Sequence, residues 1–319
     1  MGDNKSLQLR LHSCENPITL KAVDADKIEK AESLALIGSG FSSEEEANRH
    51  GFNLKQALLI VGAILRFGID PGKEKTNFIV GKVVKEKARD MGYRLLEDTH
   101  GLCAYREDIP VLFASSKTSV VSGPKSKTFI DRLIEMYNKN YQLSEKQTLA
   151  LELYNLSRFE WSQRAKFLTL IIIVEALSER ENVSDKELKN INELIKFAKA
   201  TGLNNHLVGR LRELKKESIS KSCRKLVESH LGREEAKEFN KSYKIRSNIL
   251  HKGKVPSGVN LSNAIPSLDQ FVYNLLLTDI LGKLDFEDVK GRLSGKKKPL
   301  SRNAGRFLAD SRKQYTTTI

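Results

Sequence analysis

Apolar residues recur at every second position near the start of the chain and at every third or fourth position over most of the rest. Leu7-Gln8-Leu9-Arg10-Leu11 and Ile18-Thr19-Leu20-Lys21-Ala22-Val23 have the two-residue period of strands. Ser42 with Glu45 three residues on forms a capping box, and Phe52, Leu54, Ala57, Leu58, Val61 and Leu65 continue a helix that Gly68 closes. After turn chemistry over 70–76 the pattern predicts a short helix over 79–90. Two strands over 93–96 and 102–105 follow, joined as a hairpin by Asp98-Thr99-His100-Gly101, and then an extended piece over 111–114.

From residue 126 onward the period is helical throughout. One helix is predicted over 128–137. Ser144 with Gln147 caps the next, which turns Leu149, Leu153, Tyr154 and Leu156 inward. Ser162 opens a third, apolar nearly all round from Phe167 to Leu177, which belongs at the centre of a bundle. Glu175 near its end is an unexpected charge. Ser184 with Glu187 caps a helix reaching about Ala200, and further helices are predicted over 203–217, 219–230 and 233–251, with Gly232 as a break. The last spans 260–281, with Pro266 in its first turn. The expected fold class is therefore α+β: a mixed α/β region of unknown role over 1–125, an all-α bundle over 126–285 and a tail over 286–319.

The chain's 319 residues and 39% hydrophobic content support two ordinary domains with real cores. No stretch is long and apolar enough for a membrane span, and the start MGDNKSLQLR lacks a hydrophobic signal region, so a cytoplasmic protein with no membrane partner is expected. Cys14, Cys103 and Cys223 are odd in number and far apart, which fits a reducing compartment rather than a disulfide framework. His12 with Cys14 and His100 with Cys103 have no second pair at finger-like spacing, so neither metal nor cofactor is expected.

Two glycine-bearing loops fail as phosphate binders. In Ser122-Gly123-Pro124-Lys125-Ser126-Lys127-Thr128 the order is wrong for a P-loop, and Gly38-Ser39-Gly40 has no third glycine at 43, so it reads as a turn into the helix capped at Ser42. The net charge is +14, of which residues 290–319 hold nine Lys or Arg against Asp310 alone. Such a tail attracts phosphates by counterion release without reading sequence, or is a solvated arm.

The candidate chemistry lies in Tyr243-Lys244-Ile245-Arg246-Ser247-Asn248-Ile249-Leu250-His251-Lys252-Gly253. On a helix at 100° per residue Tyr243, Arg246 and Leu250 fall within about 60° of one another, which puts a guanidinium on the apolar stripe. Such a charge calls for an acidic partner, a subunit interface or an anionic ligand. Ser247 and His251 continue round the same side, about 100° and 140° beyond Arg246. Arginine, hydroxyl and imidazole together are the inventory for cleaving RNA without a metal: the imidazole moves a proton at the ribose 2′-hydroxyl or the leaving oxygen, and the arginine pairs with the charge on the phosphorane-like state. The alternatives are a chance R-x4-H in a helix, and a non-catalytic RNA-binding or dimerisation module in which both residues secure an interface. Glu175 is either a partner for Arg246 or a helix-end acid facing water.

Arg246, Ser247 and His251 in IRSNILHKG, the helix Arg164-Ala165-Lys166-Phe167 through Val174-Glu175-Ala176-Leu177, and the stretch from Ser43-Glu44-Glu45-Glu46-Ala47 to Arg66-Phe67-Gly68-Ile69-Asp70 together resemble the Apea-like branch of the HEPN domains. The resemblance implies a helical bundle that pairs into a homodimer, bringing two R-x4-H motifs into one cleft. It also implies a metal-independent endoribonuclease leaving a cyclic phosphate, in stress or anti-phage defence, with a regulatory partner or antitoxin restraining a toxic activity. Arg246, His251 and Ser247 would be its catalytic residues, and Lys252 and Lys254 would guide the RNA backbone. Family members carry asparagine, aspartate or histidine after the arginine, where this chain has Ser247, a milder donor.

Overall fold

The computed structural model describes residues 5–11, 17–23, 25–31, 34–71, 82–97, 103–106, 111–114, 126–293 and 315–318. The fold class is α+β, and the chain divides into two compact units, Met1–Ser144 with Glu287–Ile319, and Glu145–Phe286. The predicted His12, Cys14 and His100, most of the 70–76 loop and most of the basic tail lie outside the described residues.

In the first unit β1 (Ser6–Leu9), β2 (Ile18–Ala22) and β3 (Leu34–Phe41) form an antiparallel meander. The period-two reading of β2 is visible as Ile18, Leu20 and Ala22 buried, with Thr19 and Lys21 on the other face. The Gly38-Ser39-Gly40 segment is a correction: it lies within β3 and is not a turn. Gly40 takes a φ of 83°, open only to glycine without strain, just where the ladder shifts register between Gly38 and Phe41. The helix that follows, α1 (Glu44–Leu65), is capped one residue later than expected, because Ser43 accepts from the Glu46 N–H at 3.0 Å while the Glu46 carboxylate reaches back to the Ser42 N–H at 2.8 Å.

The expected hairpin over 93–105 does not form. After α2 (Lys82–Asp90), β4 (Arg94–Glu97) pairs in parallel with β6 (Val111–Ala114), and β5 (Cys103–Arg106) lies in the larger sheet. A strand in the supposed tail, β7 (Tyr315–Thr318), inserts between β3 and β5 and is antiparallel to both, giving the order β1-β2-β3-β7-β5. Pairing partners so remote in sequence leave no local signal. The helix α3 (Ser126–Lys139) also departs from the predicted grouping. It packs on α1 within the first unit, where the Tyr137 hydroxyl meets His50 Nδ1 at 2.6 Å and the Phe129 ring lies edge-on to Phe67.

The second unit contains α4 (Glu145–Leu156), α5 (Gln163–Leu177), α6 (Asp185–Ala200), α7 (Asn205–Glu213), α8 (Ile219–Leu231), α9 (Arg233–Lys252) and most of α10 (Leu261–Leu293). Ser162 caps α5, and Ser184 with Glu187 makes the full reciprocal capping box of α6. On α4 the inward face is Leu151 and Tyr154, whereas Leu149 and Leu156, expected inside, are exposed. On α5, Phe167, Leu170, Ile171, Ile173 and Val174 are fully buried, and of the run from Phe167 to Leu177 only Ile172, 41% exposed, opens to solvent. α10 continues past the predicted end through a kink at Gly282, whose φ is 75°, and Pro266 lies inside it rather than in the first turn. Among the described residues no helix is long and apolar enough to cross a membrane.

Candidate functional site

The candidate site is built on the facing sides of α5 and α9. The buried positions of α9 are Ala236, Phe239 and Ile249, with Tyr243 and Arg246 half-buried between them. A spacing of three, four and three residues keeps 236, 239, 243 and 246 on one stripe, so the backbone periodicity carries the guanidinium against α5. Leu250, placed on that stripe by the sequence reading, is 50% exposed; Ile249 takes the inward position.

Arg246 Nη2 donates to Glu175 Oε2 at 3.0 Å, with the two side chains 20% and 15% exposed. Glu175 is therefore a partner of Arg246 and not an acid turned to water. The guanidinium also lies 5.5 Å from the centre of the Tyr243 ring, so one face of the charge is covered by an aromatic. Arg246 Nε is buried without a hydrogen-bond partner, and Nη1 carries none either among the described residues. The Tyr243 hydroxyl is pushed up to about 12, first by burial and then by the nearby Glu175 carboxylate, with Arg246 pulling the other way. This phenol stays protonated, and Glu175 Oε1 is buried without a hydrogen-bond partner.

A third helix closes the inner side. Cys223 on α8 is fully buried and its thiol is pushed up to about 11, chiefly by burial and further by the Glu175 charge, against the hydrogen bond with Ser178 and the pull of Arg246. Its Sγ lies 3.5 Å from Ser178 Oγ, which in turn donates to the Glu175 carbonyl at 2.9 Å. Such a thiol is an inert packing group. The pair thus sits beside α8 at the α5–α9 contact, with about four-fifths of each side chain covered.

His251 goes elsewhere. It occupies the last turn of α9, exposed, before Gly253 ends the helix in the left-handed conformation with a φ of 65°. Five residues along a regular helix rotate a side chain by about 140°, so Arg246 faces α5 while His251 faces solvent. A single chain does not bring the two onto one phosphate. Ser247 is half-buried, and Lys252 and Lys254 are exposed beside His251, where a helix C-terminus favours cations in any case. None of His251, Ser247, Lys252 and Lys254 makes a side-chain hydrogen bond or ion pair among the described residues.

The sequence reading missed Tyr243 as a member of the charged cluster and missed Cys223 beneath it; the aromatic three residues before Arg246 was the available signal for the first. Among the described residues no group of three His, Cys, Asp or Glu side chains could hold a metal ion. Compared with family models, with curated proteins and with solved structures, the chain matches none of them. The likeness to HEPN domains accordingly rests on the residues quoted above.

Proposed function

We propose that the Glu145–Phe286 unit is a HEPN-type, metal-independent endoribonuclease whose cleft is completed by a second copy of the chain. The observation that carries this reading is the anchoring of Arg246 on Glu175. A carboxylate on α5 holds the guanidinium by one nitrogen and leaves Nη1 uncommitted, five residues along α9 from the exposed His251. In a two-copy cleft, a ribose 2′-oxygen attacks the adjacent phosphorus and the bond to the 5′-oxygen breaks. One His251 takes the hydroxyl proton, the other returns a proton to the leaving oxygen, and Arg246 bears on the phosphorane charge. The products are a 2′,3′-cyclic phosphate and a 5′-hydroxyl. The divergence of Arg246 and His251 within one chain supports a composite site over a single-helix one. A defence role, and a partner or antitoxin that restrains the enzyme, extend this proposal by family likeness alone.

A second reading has one observation in its favour. Because Glu175 already matches the Arg246 charge, the pair would serve equally in a non-catalytic RNA-binding or dimerisation module. The test incubates the purified full chain with RNA in a metal chelator. Cleavage with cyclic-phosphate ends, abolished in His251→Ala at unchanged oligomer size, is expected; no cleavage by the wild-type chain would leave only the module, and cleavage by the variant at the wild-type rate would remove His251 from the chemistry.

A further inference from the structure

The chain has one tryptophan, Trp161, and its side chain is the most exposed large apolar group among the described residues, at 90%. Tryptophan is on average a highly buried residue, so full exposure of the sole indole leaves its stacking face unspent. Trp161 immediately precedes Ser162, Gln163 and Arg164, which with Val255, Val259 and Asn260 line an open depression of about 550 Å³ between the start of α5 and the segment joining α9 to α10. That segment begins two residues after His251.

The polar groups around the depression differ in how far they are committed. Gln163 Nε2 is tied to Ser262 Oγ at 2.8 Å and Asn260 Oδ1 accepts from the Ser262 N–H at 2.9 Å, so the floor is held rigid by the first turn of α10. Arg164 is not tied. Arg158 pairs with Asp269, Arg180 with the Glu217 carbonyl and Arg246 with Glu175, whereas Arg164 is exposed with no acidic partner among the described residues. Lys252 and Lys254 stand on the same connecting side with their charges equally unmatched.

An indole free to stack, an uncommitted guanidinium and two lysines beside an open depression are the elements by which single-stranded nucleic acid is held: bases stack on aromatics while cations follow the backbone. We propose that Trp161 and Arg164 form a subsite for single-stranded RNA, with a base stacked on the indole, its phosphate on Arg164 and the strand leading past Lys254 toward His251. This subsite rests on the reading of the helical unit as an RNA-acting module, and it names the substrate as unpaired, because a base within a duplex offers no free face.

Because Trp161 is the only indole, tryptophan emission of the full chain reports on this place alone. The probe is a fluorescein-labelled oligouridine with 2′-O-methyl groups, which lacks the attacking hydroxyl and cannot be cut. Saturable quenching is expected, at the same concentration as the rise in anisotropy. Trp161→Ala should weaken binding on the order of tenfold. Arg164→Ala should weaken it by about fivefold and lower the salt slope by about 0.7. The more conservative Trp161→Phe should recover part of the loss, and circular dichroism confirms that each variant folds. RNA bound with unchanged tryptophan emission overturns the subsite, as does no binding at all. So does an emission that shifts with protein concentration before RNA is added, which would make Trp161 a contact between proteins. Cleavage of ordinary RNA is scored separately: quenching without cleavage sinks the nuclease reading and leaves the subsite, and cleavage without quenching does the reverse.

Discussion

Arg246 and Glu175 meet at 3.0 Å across the α5–α9 contact, and each is at least four-fifths covered. Two charges removed from water in this way are mutually dependent: either one left alone is costly, while both can be replaced together at little cost. Glu175→Ala is expected to lower stability by about 3 kcal/mol, and the double variant Glu175→Leu, Arg246→Met to recover most of that. Denaturant midpoints measure both quantities, and an RNA cleavage assay reads the activity that the double variant retains. A double variant that is stable but inactive assigns the arginine to chemistry; one that is both stable and active assigns it to packing.

Cys223 links the same pocket to alkaline pH. Its thiol ionises at about 11 in the fold against 9.0 ordinarily, because burial disfavours the thiolate. Above 9 the unfolded chain therefore loses its proton first and binds fewer protons than the folded one. The contribution to stability is intact below that pH and declines as pH rises toward 11, by at most about 3 kcal/mol. In Cys223→Ala the midpoint should fall at neutral pH from lost packing, and the alkaline slope should be shallower than in the wild type.

His50 has the opposite sense in the first unit. Burial, and then the Arg49 charge, hold its imidazole below the ordinary 6.5, with Glu46 opposing, while its ring stacks on Phe41 at 5.1 Å and meets the Tyr137 hydroxyl. On acidification the unfolded chain takes up a proton before the folded one does, so stability is complete above 6.5 and falls as pH drops below it. Urea titrations at pH 7, 6 and 5 should show this decline, and His50→Gln should flatten it.

Truncation at residue 289 tests the sheet rather than only the basic tail. It removes β7 and leaves β3 and β5 with open edges where each was paired. Lower solubility and a lower melting temperature are expected, with aggregation measured by light scattering. Neutralising the basic residues between 290 and 313 while keeping β7 should spare stability and change only the salt slope of RNA binding.

Helices were legible in the sequence wherever their cause is local. Ser162, Ser184 with Glu187, Gly232 and Gly253 mark ends through groups a few residues apart, and the apolar run of α5 announced a buried helix. An arginine on an apolar stripe likewise required a partner, because an unpaired buried charge is too costly to persist. The sequence alone determined these things, and with them the α+β class. Tertiary structure decided which partners meet: Glu175 with Arg246 across 71 positions, β7 with β3 across more than 270, and α3 with α1. It also turned Leu149, Leu156 and Leu250 outward against their pattern and parted His251 from Arg246. A helix constrains the direction of its side chains but not what comes to face them, and strand pairing depends on surfaces that exist only after the chain has folded back upon itself.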